Sequence, residues 1–336
     1  MTARVVGRTG QRAVCVLTTR DNMTADRVVL ALNERQVQVL RLDLADFPHR
    51  ARLDAVLDPA RGLWAGSVQV EDCLVRLEEI GALWWWHPGK VEELASPGSA
   101  AQVRWARRET AASVTGVLAS LRCLHVNHPA ATLAAQSKPS VLALAADCGL
   151  SVPPTWIGND PAGAAAFARK VGAVVCKPVT SPRLHDDDGT TKAFFTQPIP
   201  ATSLDASLRP MTHQVQREIP KAFEVRLTVV GTRLFPVRID AHSAAARADY
   251  RADYDQLTYA NVAVPAEIEH GLLLLMKRFG LHYASSDFIV DERGRWHLLD
   301  LNPAGQHGWT QIPRLGLDIS DALAAQLTGS APVPYG

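Results

Sequence analysis

The chain has 336 residues, about twice the ~150-residue size of an average domain, so two or three packed units are expected rather than one small module. Lys plus Arg number 35 against 34 Asp plus Glu, a net of +1 with histidine neutral, so no basic excess exists to neutralise a run of nucleic-acid phosphates and any anion site must be local. A hydrophobic share of 47% with 21% charged residues excludes the disordered class. The five cysteines (Cys15, Cys73, Cys123, Cys148 and Cys176) are odd in number, far apart and without a C-x-x-C pair, which reads as reduced thiols of a cytoplasmic protein. The N-terminal apolar stretch is too short for a signal-peptide core, and the densest one, residues 272–276, is far below the ~20 residues that span a bilayer.

In chain order, AVCVL (13–17), a helical pattern over 25–33 and VQVLRLDL (37–44) predict a β-α-β opening, the start of a Rossmann-like parallel sheet. The first turn, TTRDNMTAD, holds no glycine, so the Gly-rich pyrophosphate fingerprint is missing. Residues 64–80 predict a small strand pair and GALWWWHP (81–88) a buried strand, its three tryptophans either packed on both faces or presented for peptide docking. Helical composition follows over 99–121, then a strand in LHVNHP (124–129). KPSVLALAADCG (138–149) predicts an amphipathic helix closed by glycine, and LSVPPTWI an extended element. Asn159-Asp160-Pro161 caps a helix running to Lys170, before the apolar strand AVVCKPV (173–179). A polar loop with Asp186, Asp187 and Asp188, a strand KAFFTQPI (192–199), and HQVQREIP (213–220) as an edge strand or hinge precede a region of hairpins.

The run YASSDFIVDERGRWHLLDLNP (283–303) predicts a β-hairpin about Asp291-Glu292-Arg293-Gly294. A turn centred between Arg293 and Gly294 puts Asp287 opposite Asp300 with Cβ atoms ~5 Å apart. Asn302 then shares their face, while Leu299 and Leu301 point into a core. Facing carboxylates repel unless a cation lies between them, and such oxygen donors suit Mg²⁺ with nucleotide phosphates; the alternative is a pair of solvated strand charges. A second hairpin, FEVRLTVVGTRLFPVRIDAH (223–242), turning on Thr232, puts Arg226 opposite Arg238, which is favourable around a phosphate or carboxylate; the alternative is separate surface arginines paired with Glu or Asp. A one-residue shift of that turn cancels the pairing. Lys138 and Lys177, taken singly, read as snorkelling surface lysines. The zinc-protease H-E-x-x-H, the G-x-S-x-G elbow and the P-loop are all absent from the sequence.

Taken together, Lys138, the VVCKP strand with Lys177, the QREIP segment, Arg226, and Asp287 with Asp300 and Asn302 resemble the ATP-grasp superfamily in order and spacing over roughly residues 125–328, and 1–124 resembles a pre-ATP-grasp domain. HVNHPAATLAAQSKPSVLALAADCGLSVPPTWIGNDP, PKAFEVRLTVVG, ADYRADYDQLTYANVAVP and LDLNPAGQHGW are similar to the peptide-maturing ATP-grasp enzymes that make graspetides, the microviridin-like peptides. The resemblance implies an α/β and α+β chain. A Rossmann-like pre-ATP-grasp domain (1–124) would precede a central ATP-grasp subdomain (125–212) and a C-terminal one (213–330) that carries the Mg-ATP and acceptor sites.

It further implies an ATP-dependent carboxylate ligase. An Asp or Glu side chain of a ribosomal precursor peptide, leader plus core, would become an acyl phosphate, and a Ser, Thr or Lys of the same peptide would close an ester or amide macrocycle. Lys138 and Lys177 would bind ATP phosphates, Glu218 and Ile219 would line the adenine site, and Glu224 would approach the ribose. Asp287, Asp300 and Asn302 would hold Mg²⁺. Arg226 would hold the transferring phosphate, and Arg238, with His242 and Arg251, would receive the acceptor carboxylate. Asp300 departs from the glutamate usual in the family, a carboxylate one methylene longer. A cytoplasmic homodimer or higher homo-oligomer without nucleic-acid or membrane partners completes the expectation. The alternatives are a ligase of the same fold that joins free amino acids, and a non-catalytic nucleotide- or peptide-binding protein.

Overall fold

Five consecutive apolar residues, AVCVL, need cover on both faces, and the first sheet supplies it. The structure, a computed structural model, describes residues 4–5, 12–91, 98–180, 183–185, 188–310 and 315–329; Asp186, Asp187 and residue 330 lie outside the described residues. After the short β1 (Arg4–Val5) come β2 (Ala13–Leu17), α1 (Met23–Glu34), β3 (Val39–Leu42), β4 (Ala51–Asp58), β5 (Leu63–Val70), β6 (Cys73–Arg76), β7 (Ile80–Trp85), α2 (Ala100–Ala119) and β8 (Leu124–Val126). A parallel sheet in the order β3-β2-β7-β8 forms the expected Rossmann-like opening. Side chains alternate across it. Cys15, Leu17, Leu83 and Trp85 pack towards α2 and the β4–β6 sheet, whereas Val14, Val16, Trp84 and Trp86 pack towards α1. The tryptophan run is therefore buried on both faces. The strand pair over 64–80 is β5 and β6, joined on its other edge by β4, which the sequence reading left out because its exposed positions mask the alternation.

The second sheet is antiparallel. Its region contains α3 (Pro129–Ala135), α4 (Lys138–Asp147), β9 (Thr155–Gly158), α5 (Pro161–Val171), β10 (Val174–Lys177), β11 (Arg183–His185), β12 (Thr191–Ala193), β13 (Gln197–Ile199) and β14 (His213–Arg217), with sheet order β13-β10-β14-β9. Helix α5 starts where expected, the Asp160 carboxylate accepting from the N–H groups of Ala162 and Gly163. Two expectations change. KAFFTQPI is not one strand: β12 pairs with β11 and β13 with β10, and between them the Thr196 N–H donates to Asp249. HQVQREIP is not an edge: β14 runs between β10 and β9, and Pro220 falls after the strand's end, where its missing N–H breaks no ladder bond.

The third sheet is built from β15 (Lys221–Val230), β16 (Arg233–Ala241), β17 (Leu257–Ala260), β18 (Tyr283–Asp291) and β19 (Trp296–Asn302) in the order β17-β16-β15-β18-β19, with α6 (Ala244–Ala248) and α7 (Ala266–Phe279) inserted and α8 (Ile319–Leu327) after it. One face buries Val225, Leu227, Val229, Leu298 and Leu301 against Leu272, Leu275 and Met276 of α7. The expected unit boundaries at 124/125 and 212/213 do not follow the packing. Val141 and Ala145 of α4 join the core of the third sheet, β14 pairs in the second, and α8 returns to α1, because each apolar face is covered by whichever element reaches it. All five cysteines are free. Among the described residues no helix is long and apolar enough to cross a membrane.

Candidate functional site

A row of charges crosses the third sheet. Arg226 on β15 stands opposite Asp287 on β18, and Asp287 stands opposite Asp300 on β19. Directly opposed residues share a face, so the three side chains line up across adjacent strands. The β18–β19 turn reaches this register indirectly. Val290 pairs with Trp296 and the Asp291 N–H donates to the Arg295 carbonyl, which centres the turn on Arg293, half a residue from the expected centre. Near the turn Phe288 pairs with Leu298; an irregularity after Asp287 then lets Leu299 bulge out, which restores Asp287 to Asp300 and Ser285 to Asn302. The bulge also moves Leu299: Leu301 is buried as expected, but Leu299 is half-buried and lines the cleft.

The Arg226 guanidinium holds Asp287 with both oxygens at 2.9 Å from Nη1. Burial works against its charge, but the carboxylate raises the Arg226 pKa above its ordinary value. Arg226 is 6% exposed and does not line the cleft, so it meets the site through Asp287. Its Nε has no hydrogen-bond partner among the described residues. The segment after β19 lies against it: Arg226 Nη2 is 3.5 Å from the Gln306 carbonyl, and a Cβ on Gly305 would stand 2.7 Å from Nη2 and 2.6 Å from Ser285 Cβ. Helix α1 holds the same segment from the other side, through Thr24 to Gln306 and Arg27 to the Gly308 carbonyl.

The cleft in front of the row, about 820 Å³, lies between the second and third sheets. Lys138, Lys177, Glu218, Ile219, Glu224, Arg251, Asp287, Asp300 and Asn302 all line it. Lys138 starts α4, where the helix dipole adds positive potential, and its Nζ donates to the Pro178 carbonyl at 2.9 Å, next to Lys177. Burial lowers the Lys177 pKa to about 8; Asp300 opposes that shift and Lys138 adds to it. Glu224, 7% exposed, accepts from Lys221 Nζ at 2.5 Å while burial raises its pKa.

Two expected site residues stand elsewhere. The β15–β16 turn is Gly231-Thr232 with Val230 paired to Arg233, so Arg226 faces Val237 and Arg238 faces Val225. That one-residue shift places Arg238 on the α7 side of the sheet, stacked 4.0 Å over the Phe223 ring and bidentate to Asp240. His242 is exposed outside the cleft, its Nε2 3.0 Å from Thr258 Oγ1. Arg251 does line the cleft, paired with Asp249 at 2.6 Å. Sequence reasoning missed Arg217, Lys221, Arg247, Asp249 and Tyr250, all of which line it. For Asp249 and Tyr250 the signal was present in ADYRADYD, an aromatic and charged run too dense for an ordinary solvated loop. The Tyr250 hydroxyl reaches Asp287 Oδ1 at 3.5 Å.

Two carboxylates and an amide oxygen form a hard donor set that fits Mg²⁺, which takes one or two carboxylates and fills its octahedron with water and phosphate oxygens. Among the described residues no cluster of three or more His, Cys, Asp or Glu offers an all-protein cage instead. An anion between such a cation and two lysines would be neutralised from both sides.

Residues 13–132 match the MvdD pre-ATP grasp domain. The fold as a whole is similar to that of the macrocyclase MdnC of Microcystis aeruginosa, bound with precursor peptide MdnA, at 27% identity and a TM-score of 0.82 over 96% of this chain and 100% of that one. The macrocyclase MdnB from the same organism follows at 25% identity and 0.72, over 94% and 99%. A Chryseobacterium gregarium RiPP-associated ATP-grasp ligase, in complex with ADP and a leader and core peptide, shares the fold at 24% identity and 0.86, over 96% and 98%. No curated protein matches the chain.

Proposed function

Because the chain is an ATP-grasp ligase with the architecture of the peptide macrocyclases, we propose that it activates an Asp or Glu side chain of a ribosomal precursor peptide as an acyl phosphate and closes ester or amide macrocycles with Ser, Thr or Lys of the same peptide. The observation that carries this reading is the charge row Arg226–Asp287–Asp300, with Asn302, facing Lys138 and Lys177 across one cleft. Phosphoryl transfer needs cations placed where negative charge develops, more than a covalent nucleophile, and this cleft offers them without one.

In the first step a peptide carboxylate oxygen attacks the γ-phosphorus of ATP and ADP leaves. In the second, the hydroxyl or amine attacks the acyl carbon, phosphate leaves, and one proton is released. Lys138 and Lys177 hold the phosphates, Glu218 and Ile219 border the base, and Glu224 approaches the ribose as Lys221 releases it. Asp287, Asp300 and Asn302 would hold Mg²⁺, which would supply positive charge against the phosphates. Arg226 fixes the Asp287 carboxylate and adds positive potential behind the transferring phosphate, instead of touching it. Arg251 is positioned for the acceptor carboxylate; Arg238 and His242 lie outside the cleft and are not assigned to it.

We place the protein in the cytoplasm, where ATP and free thiols coexist, as a homodimer or higher homo-oligomer acting on peptide rather than nucleic acid. Free cysteines and a net charge of +1 support the first and last of these. The test is mass spectrometry of a precursor peptide encoded beside the protein, incubated with ATP and Mg²⁺. Loss of one water mass per ring, dependent on both additions, is expected. ADP released with free amino acids and no peptide change favours a small-molecule ligase, and nucleotide binding without any turnover favours a non-catalytic binding protein.

A further inference from the structure

Asn127 comes from the first unit, directly after β8, yet every hydrogen-bonding position of its side chain is spent on the third sheet. It is 3% exposed. Its Nδ2 donates to the Tyr283 carbonyl at 2.7 Å and the Pro303 carbonyl at 2.8 Å, and its Oδ1 accepts from the N–H groups of His282 at 2.8 Å and Tyr283 at 3.0 Å. With two donors and two accepted bonds, no other assignment of oxygen and nitrogen satisfies all four partners.

The position of these bonds matters. The last rung of the β18–β19 ladder is Ser285 with Asn302. Beyond it β19 leaves its partner, and Tyr283 has no β19 residue to pair with. The Asn127 amide fills that gap: it bonds the backbone of β18 at Tyr283 and the outgoing chain at Pro303, one residue past Asn302. It thereby stands in for the next rung and fixes where the chain carrying Asn302 diverges from the strand carrying Asp287. Nothing else in the first unit bonds Pro303 in this way among the described residues.

We infer that Asn127 is a positioning residue for the cation site, setting the spacing of Asn302 from Asp287 and so the affinity for Mg²⁺ with nucleotide. The inference rests on the ligase reading above. Residues that orient metal ligands without touching the metal typically change its affinity by ~10–100-fold when lost.

The experiment is calorimetric titration of ADP, with and without Mg²⁺, into the wild-type chain, Asn127→Asp, Asn302→Ala and the double variant, together with the unfolding midpoint of each. Asn127→Asp keeps the size and the acceptor but turns both donors into an oxygen facing two carbonyls. Its expected effect is a loss of about tenfold or more in Mg–ADP affinity with Mg-free ADP binding changed by less than about twofold. In the double variant the loss should not exceed that of Asn302→Ala, since both act through one ligand. A lowered unfolding midpoint with unchanged Mg²⁺ dependence, or losses that add, overturns the inference.

Should Asn127→Asp not fold, hydrogen exchange of the His282 and Tyr283 amides in wild-type protein decides: Mg–ADP must slow it beyond ADP alone, and equal exchange overturns the inference. Wild-type protein that binds no Mg–ADP overturns the ligase reading and this inference with it, whereas normal wild-type binding with an unaffected variant overturns this inference alone.

Discussion

Asp287 and Asp300 face each other and share one proposed ligand, yet the same substitution at each should have different effects on the fold. Asp287 neutralises a guanidinium whose side chain is 7% exposed, through two bonds of 2.9 Å. The Asp300 side chain makes no hydrogen bond or ion pair among the described residues and stands next to a like charge. Breaking a buried pair from one side costs ~3–5 kcal/mol. Asn at 287 still accepts one bond, and the Asp287 side chain is 22% exposed, so ~3 kcal/mol is expected for Asp287→Asn. With ~2.1 cal/mol/K per residue, 336 residues give an unfolding entropy of ~0.7 kcal/mol/K and a fall in Tm of ~4 °C. Asp300→Asn removes both a repulsion from Asp287 and an attraction to Lys177, and should move Tm by less than ~1 °C. Scanning calorimetry in EDTA measures both. Repeating it with Mg–ADP at ~100 times its Kd should raise wild-type Tm by ~4 °C, from ~2.7 kcal/mol of linkage, and neither variant by as much. Equal destabilisation by the two substitutions, or none by either, would refute the charge row as the organising feature of the site.

Three further outcomes follow from the geometry. Lys177, with its pKa lowered to about 8, is charged below that pH and loses its proton above it; ATP favours the charged form, so binding should take up a proton at pH 8.5 but not at pH 6.5, and the KM for ATP should rise about tenfold per unit on the alkaline side, read by calorimetry in buffers of different ionisation heat and by kinetics. Gly305→Ala forces a methyl group within 2.6 Å of Ser285 Cβ and 2.7 Å of Arg226 Nη2, and should cost ~1–3 kcal/mol by chemical denaturation together with a lowered kcat; full stability would mean the covering segment is not tightly packed. Arg238→Ala should leave kcat/KM for the peptide within about twofold, while Arg251→Ala lowers it about tenfold or more, and the reverse ranking in steady-state kinetics would return Arg238 to the acceptor site.

Much of the site was legible because hairpins convert sequence distance into spatial opposition. Asp287 against Asp300 could be counted from the turn, although the count succeeded only because the half-residue error in the turn centre was made up by the bulge at Leu299. The same arithmetic failed for Arg226 and Arg238, where one residue at Gly231-Thr232 turned Arg238 to the other face. The partner that Arg226 does have lies on a strand 61 residues away. No local pattern encodes that pairing. Helix α5, amphipathic and capped by Asp160, was readable to within a residue of its end, whereas the split of KAFFTQPI into two strands goes with an Asp249 bond across 53 residues. Tyr250 and Arg247 escaped notice because they sit in short irregular elements with no period to expose their facing.

The return of α8 to the first sheet has a consequence for how the chain is made. Ile319, Leu323 and Leu327 are buried with Val16, Val28, Leu32 and Trp84, so the apolar face of the first sheet is finished by a helix synthesised long after it. A domain that emerges first ordinarily folds first. Here one face of that sheet stays open until α8 has been synthesised, and so long-range a contact is slow to form. A transcript truncated before residue 319 would yield a chain whose early sheet stays uncovered, an aggregation-prone product rather than a partly active enzyme.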